Sequence, residues 1–270
     1  MGRIICIANQ KGGGGKTTTV INLGASLAAD GKSTLFADCD PQANTTGGLG
    51  FQKDPTRRTI YNALILNETP ERITIKTQVK GLDLIPSDKN LVGAPVELVD
   101  VEGREFKLKS FLLSIRDAYE YILIDCPPAL NLLTLNGLCA ARAVMIPMQC
   151  EYYALEGLSD LVNTVKKVRA NLNPGLEIEG LLRTMFDPRN ILAQQVSDQL
   201  QEHFGDKLYR TVIPRNVRLA EAPSFGIPAL YHDKLSKGTQ AYLALAGEML
   251  NRHGPGIGMI QQEPEQGLEV

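Results

Sequence analysis

A doubly wound α/β fold, with a mostly parallel sheet and helices on both of its faces, is what this sequence predicts, and three observations predict it. Short β-rich runs alternate with amphipathic helical patterns almost from end to end. Those runs are nearly continuously apolar rather than alternating, as strands are when helices cover both faces of a sheet. A glycine-rich turn links the first apolar run directly to the first helical pattern.

The elements follow in order. "RIICIAN" (3–9) is a strand, "KTTTVINLGASLAAD" a helix and "STLFADCD" a second strand. "LDLIPS", the helical "FKLKSFLLSIRDAY" and the strand "YILIDCPP" come next, then a helix from about Leu132 and the strand "AVMIPMQ". A long helix near 154–170 carries Ala154, Leu155, Leu158, Leu161, Val162, Val165 and Val168 at three- and four-residue spacing, a stripe that faces a core. "IEGLLRTMF", a helix near 191–204 and "LYRTVIP" complete the pattern. Neither a repeat nor a long linker divides the chain, which predicts one domain over 1–253 and a loose tail over 254–270, rich in Gly, Pro, Gln and Glu.

At 270 residues and 43% hydrophobic composition, the chain can bury a substantial core. Its 28 Lys and Arg against 30 Asp and Glu exclude a global pull toward nucleic acid or anionic lipid, so any such binding needs a local patch. The five cysteines are odd in number, form no CxxC pair and mostly lie in apolar runs, which suits a reducing cytosol without disulfides or a zinc site. No signal-like segment opens the chain, and no apolar run approaches the roughly 18 residues of a membrane span.

The glycine run "NQKGGGGKTTT" (9–19) leaves a strand and enters a helix, where a flexible linker would have polar flanks. In that setting Gly12, Gly13, Gly14 and Gly15 turn the backbone tightly and present N–H groups to an anion at the positive end of a helix. Lys16 would meet the β- and γ-phosphates of a nucleotide and the Thr17 hydroxyl would coordinate Mg²⁺, with Thr18 beside them. Alternating residues Asp38 and Asp40 close the second strand, and a water attacking a γ-phosphate needs such a group to orient it. Asp38 is expected behind Asp40, holding the phosphate loop or Mg²⁺ waters. Asp125 ends "YILID", where a carboxylate reaches Mg²⁺, and Pro127 and Pro128 stiffen the next turn. Acidic strand ends also serve as turn caps, and the residues alone leave that reading open.

The fit to G-x-x-x-x-G-K-[ST] is imperfect, since Gln10 stands at the first glycine position and Lys11 begins the run. With "DCDPQANTT", "IDCPPALNLLTLNGL", "PMQCEYYALEGLSDLVNTV" and "IPRNVRLAEAPSFG", the chain resembles the deviant Walker A ATPases, specifically the ParA/Soj partitioning proteins, up to about residue 250. The resemblance implies ATP and Mg²⁺ as cofactors, with Thr17, Asp40 and Asp125 at the metal and Lys16 and Asp40 in hydrolysis. It implies that Lys11 reaches the partner's phosphates across an ATP-sandwich homodimer. It implies an adenine pocket formed by Met185, Asp187, Pro214 and Arg215, in loops after late strands. The family usually has Val or Thr where this chain has Gly14, a change expected to loosen nucleotide binding or dimer formation slightly.

"KLYRTVIPRNVR" (207–218) carries four basic and no acidic residues, which fits a solvated edge as well as a DNA surface. By resemblance, Arg189 and Arg218 bind double-stranded DNA without sequence preference, a ParB/Spo0J-type protein stimulates hydrolysis through a basic N-terminal segment, and the protein is cytoplasmic and nucleoid-associated. Because the phosphate-loop strand starts at residue 3, no helix-turn-helix extension for operator binding is expected. The alternative, a MinD-like division-site ATPase, would need a basic amphipathic C-terminal helix for membrane binding; "GPGIGMIQQEPEQGLEV" is broken by Gly and Pro and carries three glutamates. A nitrogenase-iron-protein-like reductase would need cluster cysteines, and Cys126 and Cys139 lack the surroundings for that role.

Overall fold

The computed structural model describes residues 2–152 and 154–254. Strands β1 (Arg3–Ile7), β2 (Thr34–Asp38), β3 (Ile75–Lys76), β4 (Leu82–Ile85), β5 (Tyr121–Asp125), β6 (Ala143–Gln149), β7 (Glu177–Phe186) and β8 (Leu208–Pro214) form one sheet. Its order is β3-β4-β2-β5-β1-β6-β7-β8. All neighbours are parallel except the two-residue edge strand β3, which runs antiparallel to β4.

Successive strand residues face opposite sides, so the sheet divides two cores. On one face Ile4, Cys6, Leu35, Ala37, Ile122 and Ile124 belong to a core shared with helices Ile60–Leu66, Lys107–Leu113, Leu132–Ala140, Ala154–Asn171 and Ile191–Phe204. On the other, Ile5, Ile7, Phe36, Leu84, Leu123 and Met145 meet helices Lys16–Ala29 and Lys237–His253. With both faces covered, apolar residues are required at consecutive positions, which explains the continuous runs. The stripe on Ala154–Asn171 is core-facing: Leu158, Leu161, Val165 and Val168 are buried, and Leu155 and Val162 pack against them.

The helix behind the glycine turn lies very close to the sheet. A Cβ at Gly24 would stand 2.0 Å from Phe36 Cε1, so only glycine permits the approach. The helix predicted within 106–119 is shorter, ending at Leu113 before a 3₁₀ turn at Arg116–Ala118. There the Ser114 hydroxyl donates to the Phe111 carbonyl at 2.7 Å, competing with the helical ladder.

Helix Lys237–His253 is fixed at its far end by Glu179. This carboxylate, 3% exposed, accepts hydrogen bonds from Arg3 Nη2 at 3.0 Å and Tyr209 Oη at 3.1 Å, and lies 2.7 Å from His253 Nε2. Burial alone would raise its pKa, but the hydrogen bond and charge of His253, with Arg3, outweigh burial and hold it at about 2. A depressed carboxylate contributes stability that is present above its unfolded pKa, near 4.5, and is lost as pH falls toward about 2. Glu179→Gln is therefore expected to destabilise the chain by about 2–3 kcal/mol at pH 7, with the gap from the parent closing between those pH values in thermal melts.

Among the described residues no helix is long and apolar enough to cross a membrane. Residues 255–270, on which the predicted loose tail and the comparison with a membrane-binding C terminus rest, lie outside the described part.

Candidate functional site

Register assembles the site. Ile7 of β1 and Asp38 of β2 both pair with Asp125 of β5, so the glycine turn, the Asp38–Asp40 segment and Asp125 emerge together at the carboxyl ends of three adjacent strands. Gly13 (φ 74°) and Gly15 (φ 89°) occupy the left-handed region that side chains disfavour, and the helix starts at Lys16. The loop is held from β6 and β7: Gln149 Nε2 donates to the Gly13 carbonyl at 2.8 Å and Thr184 Oγ1 to the Gly14 carbonyl at 2.9 Å. Those two bonds fix the turn to the sheet at the mouth of the first helix, where backbone N–H groups suit an anion. Lys16, 7% exposed, folds back so that its Nζ donates to the Lys11 carbonyl at 3.2 Å. Burial lowers its pKa, opposed by the charges of Asp125 and Asp40.

Asp125 is fully buried. Its Oδ2 accepts from the Thr17 hydroxyl at 2.8 Å and the Thr45 hydroxyl at 2.7 Å, while its buried Oδ1 has no hydrogen-bond partner. Burial raises its pKa and the charge of Asp40 adds to that, against the two hydroxyls and Lys16. A buried carboxylate with one oxygen unsatisfied and a threonine hydroxyl alongside suits a hard cation such as Mg²⁺, which takes one or two protein groups beside phosphates and waters.

Asp38 and Asp40 separate in role. Asp40, 6% exposed, accepts from the Gln42 amide at 2.9 Å. Asp38 is fully buried and accepts from the Thr46 amide at 2.9 Å, the Thr46 hydroxyl at 2.7 Å and the Asp40 amide at 3.2 Å. The expectation that Asp38 holds the phosphate loop is corrected: its partners all lie in the segment 40–46, because the carboxylate turns toward the chain that follows it. Burial, then the charge of Asp125, raises its pKa.

The predicted adenine residues do come together, since Phe186 and Pro214 pair across β7 and β8. Met185 takes a positive φ of 48°, and its Sδ accepts from Gln149 Nε2 at 3.3 Å, so this loop touches the same glutamine that holds Gly13. Asp187 is held by Arg189, whose Nε and Nη2 lie 2.9 and 2.8 Å from its two oxygens, and Arg215 adds a weaker attraction. Arg218 is similarly engaged, 2.8 Å from Glu221 and 3.3 Å from Asp233. Lys11 Nζ pairs with Glu151 of its own chain, with both side chains about half exposed.

A family model described as an AAA domain matches residues 2–178. The chain is 52% identical over 249 residues to the sporulation initiation inhibitor protein Soj of Bacillus subtilis, covering 92% of this chain and 98% of that one. It is 50% identical over 252 residues to the chromosome partitioning protein ParA of Caulobacter vibrioides, covering 93% and 94%. The chain belongs to the ParA/Soj chromosome-partitioning ATPases. Its fold matches a solved cobyrinic acid a,c-diamide synthase from Mycobacterium smegmatis with bound ATP analogue and magnesium, at a TM-score of 0.82 and 33% identity, covering 95% of this chain and 97% of that one.

Several residues of this ParA/Soj site are not evident from the sequence. Thr45 and Thr46, which orient Asp125 and Asp38, stand in "DCDPQANTT", and Thr184 in "TMFD", without a pattern that assigns them a role. Two adjacent threonines beside an acidic strand end are the available signal. Gln149 ends an apolar strand and Glu151 follows it, and neither carries a signal.

Gly14 lies outside the positive-φ set, so a side chain is conformationally allowed there. A Cβ would stand 3.0 Å from Asn9 Nδ2, an amide anchored on the Pro147 carbonyl, and 3.5 Å from the Lys11 carbonyl. Gly14→Val is expected to shift Asn9 by a few tenths of an ångström and stiffen the loop. ATP affinity should rise by about two- to fivefold, in line with roughly 0.5–1 kcal/mol of chain entropy removed. Equal affinity and equal dimerisation in the two proteins would show that Gly14 is neutral.

Proposed function

We propose that this chain is an Mg²⁺-dependent ATP hydrolase that dimerises around two ATP molecules, binds double-stranded DNA non-specifically as that dimer, and releases it after hydrolysis. In this reading it segregates chromosomes or plasmids over the nucleoid with a ParB-type partner. The observation that carries the reading is the convergence of the Thr17 and Thr45 hydroxyls on one oxygen of buried Asp125 while its other oxygen is left unsatisfied, beside buried Lys16 at the end of a glycine loop.

Thr17 and Asp125 hold Mg²⁺ with Asp40 close by, and the ion, when bound, neutralises charge on the β- and γ-phosphate oxygens. Lys16, kept from water by the fold, adds a point charge on the same phosphates; low solvent access makes that charge worth more than it would be in bulk water. Asp40 orients the attacking water and Lys11 serves the partner's nucleotide. Gly12 to Gly15 and Thr18 line the phosphates, while Met185, Asp187, Pro214 and Arg215 surround the base. Hydrolysis removes the γ-phosphate that both protomers grip, so nothing then bridges the two nucleotide sites and the dimer separates.

Arg189 and Arg218 supply DNA contacts. Each is already engaged by carboxylates of its own chain, so DNA phosphates must compete with Asp187, Glu221 and Asp233. With a net charge of −2, the chain has no global field to help them, and binding depends on the doubled patch of a dimer. A salt-titrated DNA-binding assay with ATP, ADP and no nucleotide tests this. Binding is expected only with ATP, falling steeply with salt. Arg218→Ala should weaken it equally for all sequences while lowering the salt slope by about one for each phosphate no longer neutralised. Equal binding in the three nucleotide conditions would overturn the switch.

A further inference from the structure

We infer that the surface formed by residues 92–102 is a docking ridge for a basic, apolar-faced segment of a partner protein. The inference rests on the ParB-type partner reading above and gives that partner a place to bind. Between the 3₁₀ turn Lys89–Val92 and Val101, the backbone runs through consecutive helical turns, including the short helix Ala94–Glu97. Leu91, Ala94 and Leu98 are its inner face, at most 2% exposed. The outer face carries Val92, Val96 and Val99, spaced i, i+4 and i+7, at 65, 74 and 55% exposure.

Folding does not account for these valines. Branched side chains are poor helix formers, and leaving three of them in water forgoes the burial that would compensate for it. An aligned exposed apolar stripe marks a contact surface. Its chemistry is selective, because Glu97, Asp100 and Glu102 are exposed beside the valines and residues 91–103 contain no Lys or Arg. Arg104, just beyond, turns back onto Glu105 and the Val99 carbonyl. A partner offering apolar side chains on one face and Lys or Arg on its flanks matches both features; a DNA backbone matches neither.

The position gives such a partner access to the hydrolytic site. Val92, with Asp88 and Lys89, borders a cavity of about 1170 Å³ that also reaches Thr17, Thr18 and the Pro41–Gly48 segment. Pro95 borders a second cavity, of about 480 Å³, with Leu130 and Asn131 of the turn that follows Asp125. The start of the ridge, Val92 to Pro95, therefore stands between the cavity that reaches the Pro41–Gly48 segment and the one that reaches Leu130 and Asn131. The first of these segments carries Thr45 and Thr46, which hold Asp125 and Asp38, and the second belongs to the turn that follows Asp125 in the chain.

The test uses the full-length protein with ATP and the fluorescein-labelled basic N-terminal segment of the ParB-type protein from the same organism, read by anisotropy. Val96→Ser/Val99→Ser and Asp100→Lys/Glu102→Lys are each expected to weaken peptide binding by about tenfold or more, with melting temperature, basal ATP turnover and DNA binding unchanged. The single Val96→Ser, at a position mostly in water, gives a smaller loss in the same direction and guards against misfolding of the double variants. Parent-like binding of the peptide by both double variants would overturn the ridge and leave the partner reading intact. No binding by the parent protein would overturn the partner reading itself. A change in sedimentation of the ATP-bound dimer, with peptide affinity unchanged, would assign the ridge to a second copy of this chain and overturn the proposal.

Discussion

Asp40→Ala is expected to lower kcat by about 10²–10⁴-fold while leaving ATP affinity within about threefold of the parent. The carboxylate is nearly buried beside Asp125 and Lys16, and among the described residues its one hydrogen bond is from the Gln42 backbone amide, so it is available for a water in a way Asp38 is not. Asp38 provides the control. Its oxygens are committed to Thr46 and to the Asp40 amide, so Asp38→Ala strands a buried amide and hydroxyl and should cost about 1–3 kcal/mol of stability. A stable Asp40→Ala protein with slow turnover, set against an unstable Asp38→Ala protein, separates water orientation from loop anchoring. If, as proposed, dimer release depends on hydrolysis, Asp40→Ala should also remain on DNA after ATP is withdrawn. Unchanged turnover in this variant would mean that hydrolysis is not organised through Asp40.

The reason Asp38 needed the structure illustrates what the sequence conveys. Strand positions are legible because burial on both faces demands consecutive apolar residues; "YILID" and "LYRTVIP" match β5 and β8 residue for residue, and only the Cys and two prolines after "YILID" fall outside the strand. The glycine loop is legible because a strand, a turn and a Lys-Thr helix start coincide within a few residues. Contacts joining residues far apart leave no such local trace. The bond from Thr45 to Asp125 spans 80 positions and that from Thr184 to Gly14 spans 170, so both depend on how the sheet is ordered. Arg218 reads as part of a segment free of acids, yet Asp233 comes back to it from beyond that segment. Helix Lys237–His253, which the sequence does not announce, has an amphipathic pattern interrupted by Gly238 and Gly247; Gly238 lies so close to Leu219 that a Cβ would stand 2.6 Å from its Cγ.

Lys11→Ala is expected to lower turnover by about a thousandfold or more, the scale of a positive finger supplied by a second subunit. In the single chain this lysine is paired with Glu151, and the pair decides whether it can leave. Both side chains are about half exposed, at 44 and 50%, and an ion pair in such surroundings is worth only about 0–1 kcal/mol. A triphosphate carries more charge than one glutamate and is further concentrated between two protomers, so Lys11 can exchange partners at little cost. Glu151→Ala should accordingly leave turnover within about threefold of the parent. Mixing inactive protomers tests direction. If Lys11 acts across the interface, a heterodimer of Lys11→Ala and Asp40→Ala has one intact composite site, with Asp40 from the first protomer and Lys11 from the second. A one-to-one mixture would then recover about a quarter of parental activity, since random pairing makes about half the dimers mixed and each has one working site of two. If Lys11 acts within its own chain, neither site of that heterodimer is complete and the mixture stays inactive, which would remove the dimer sandwich from the mechanism.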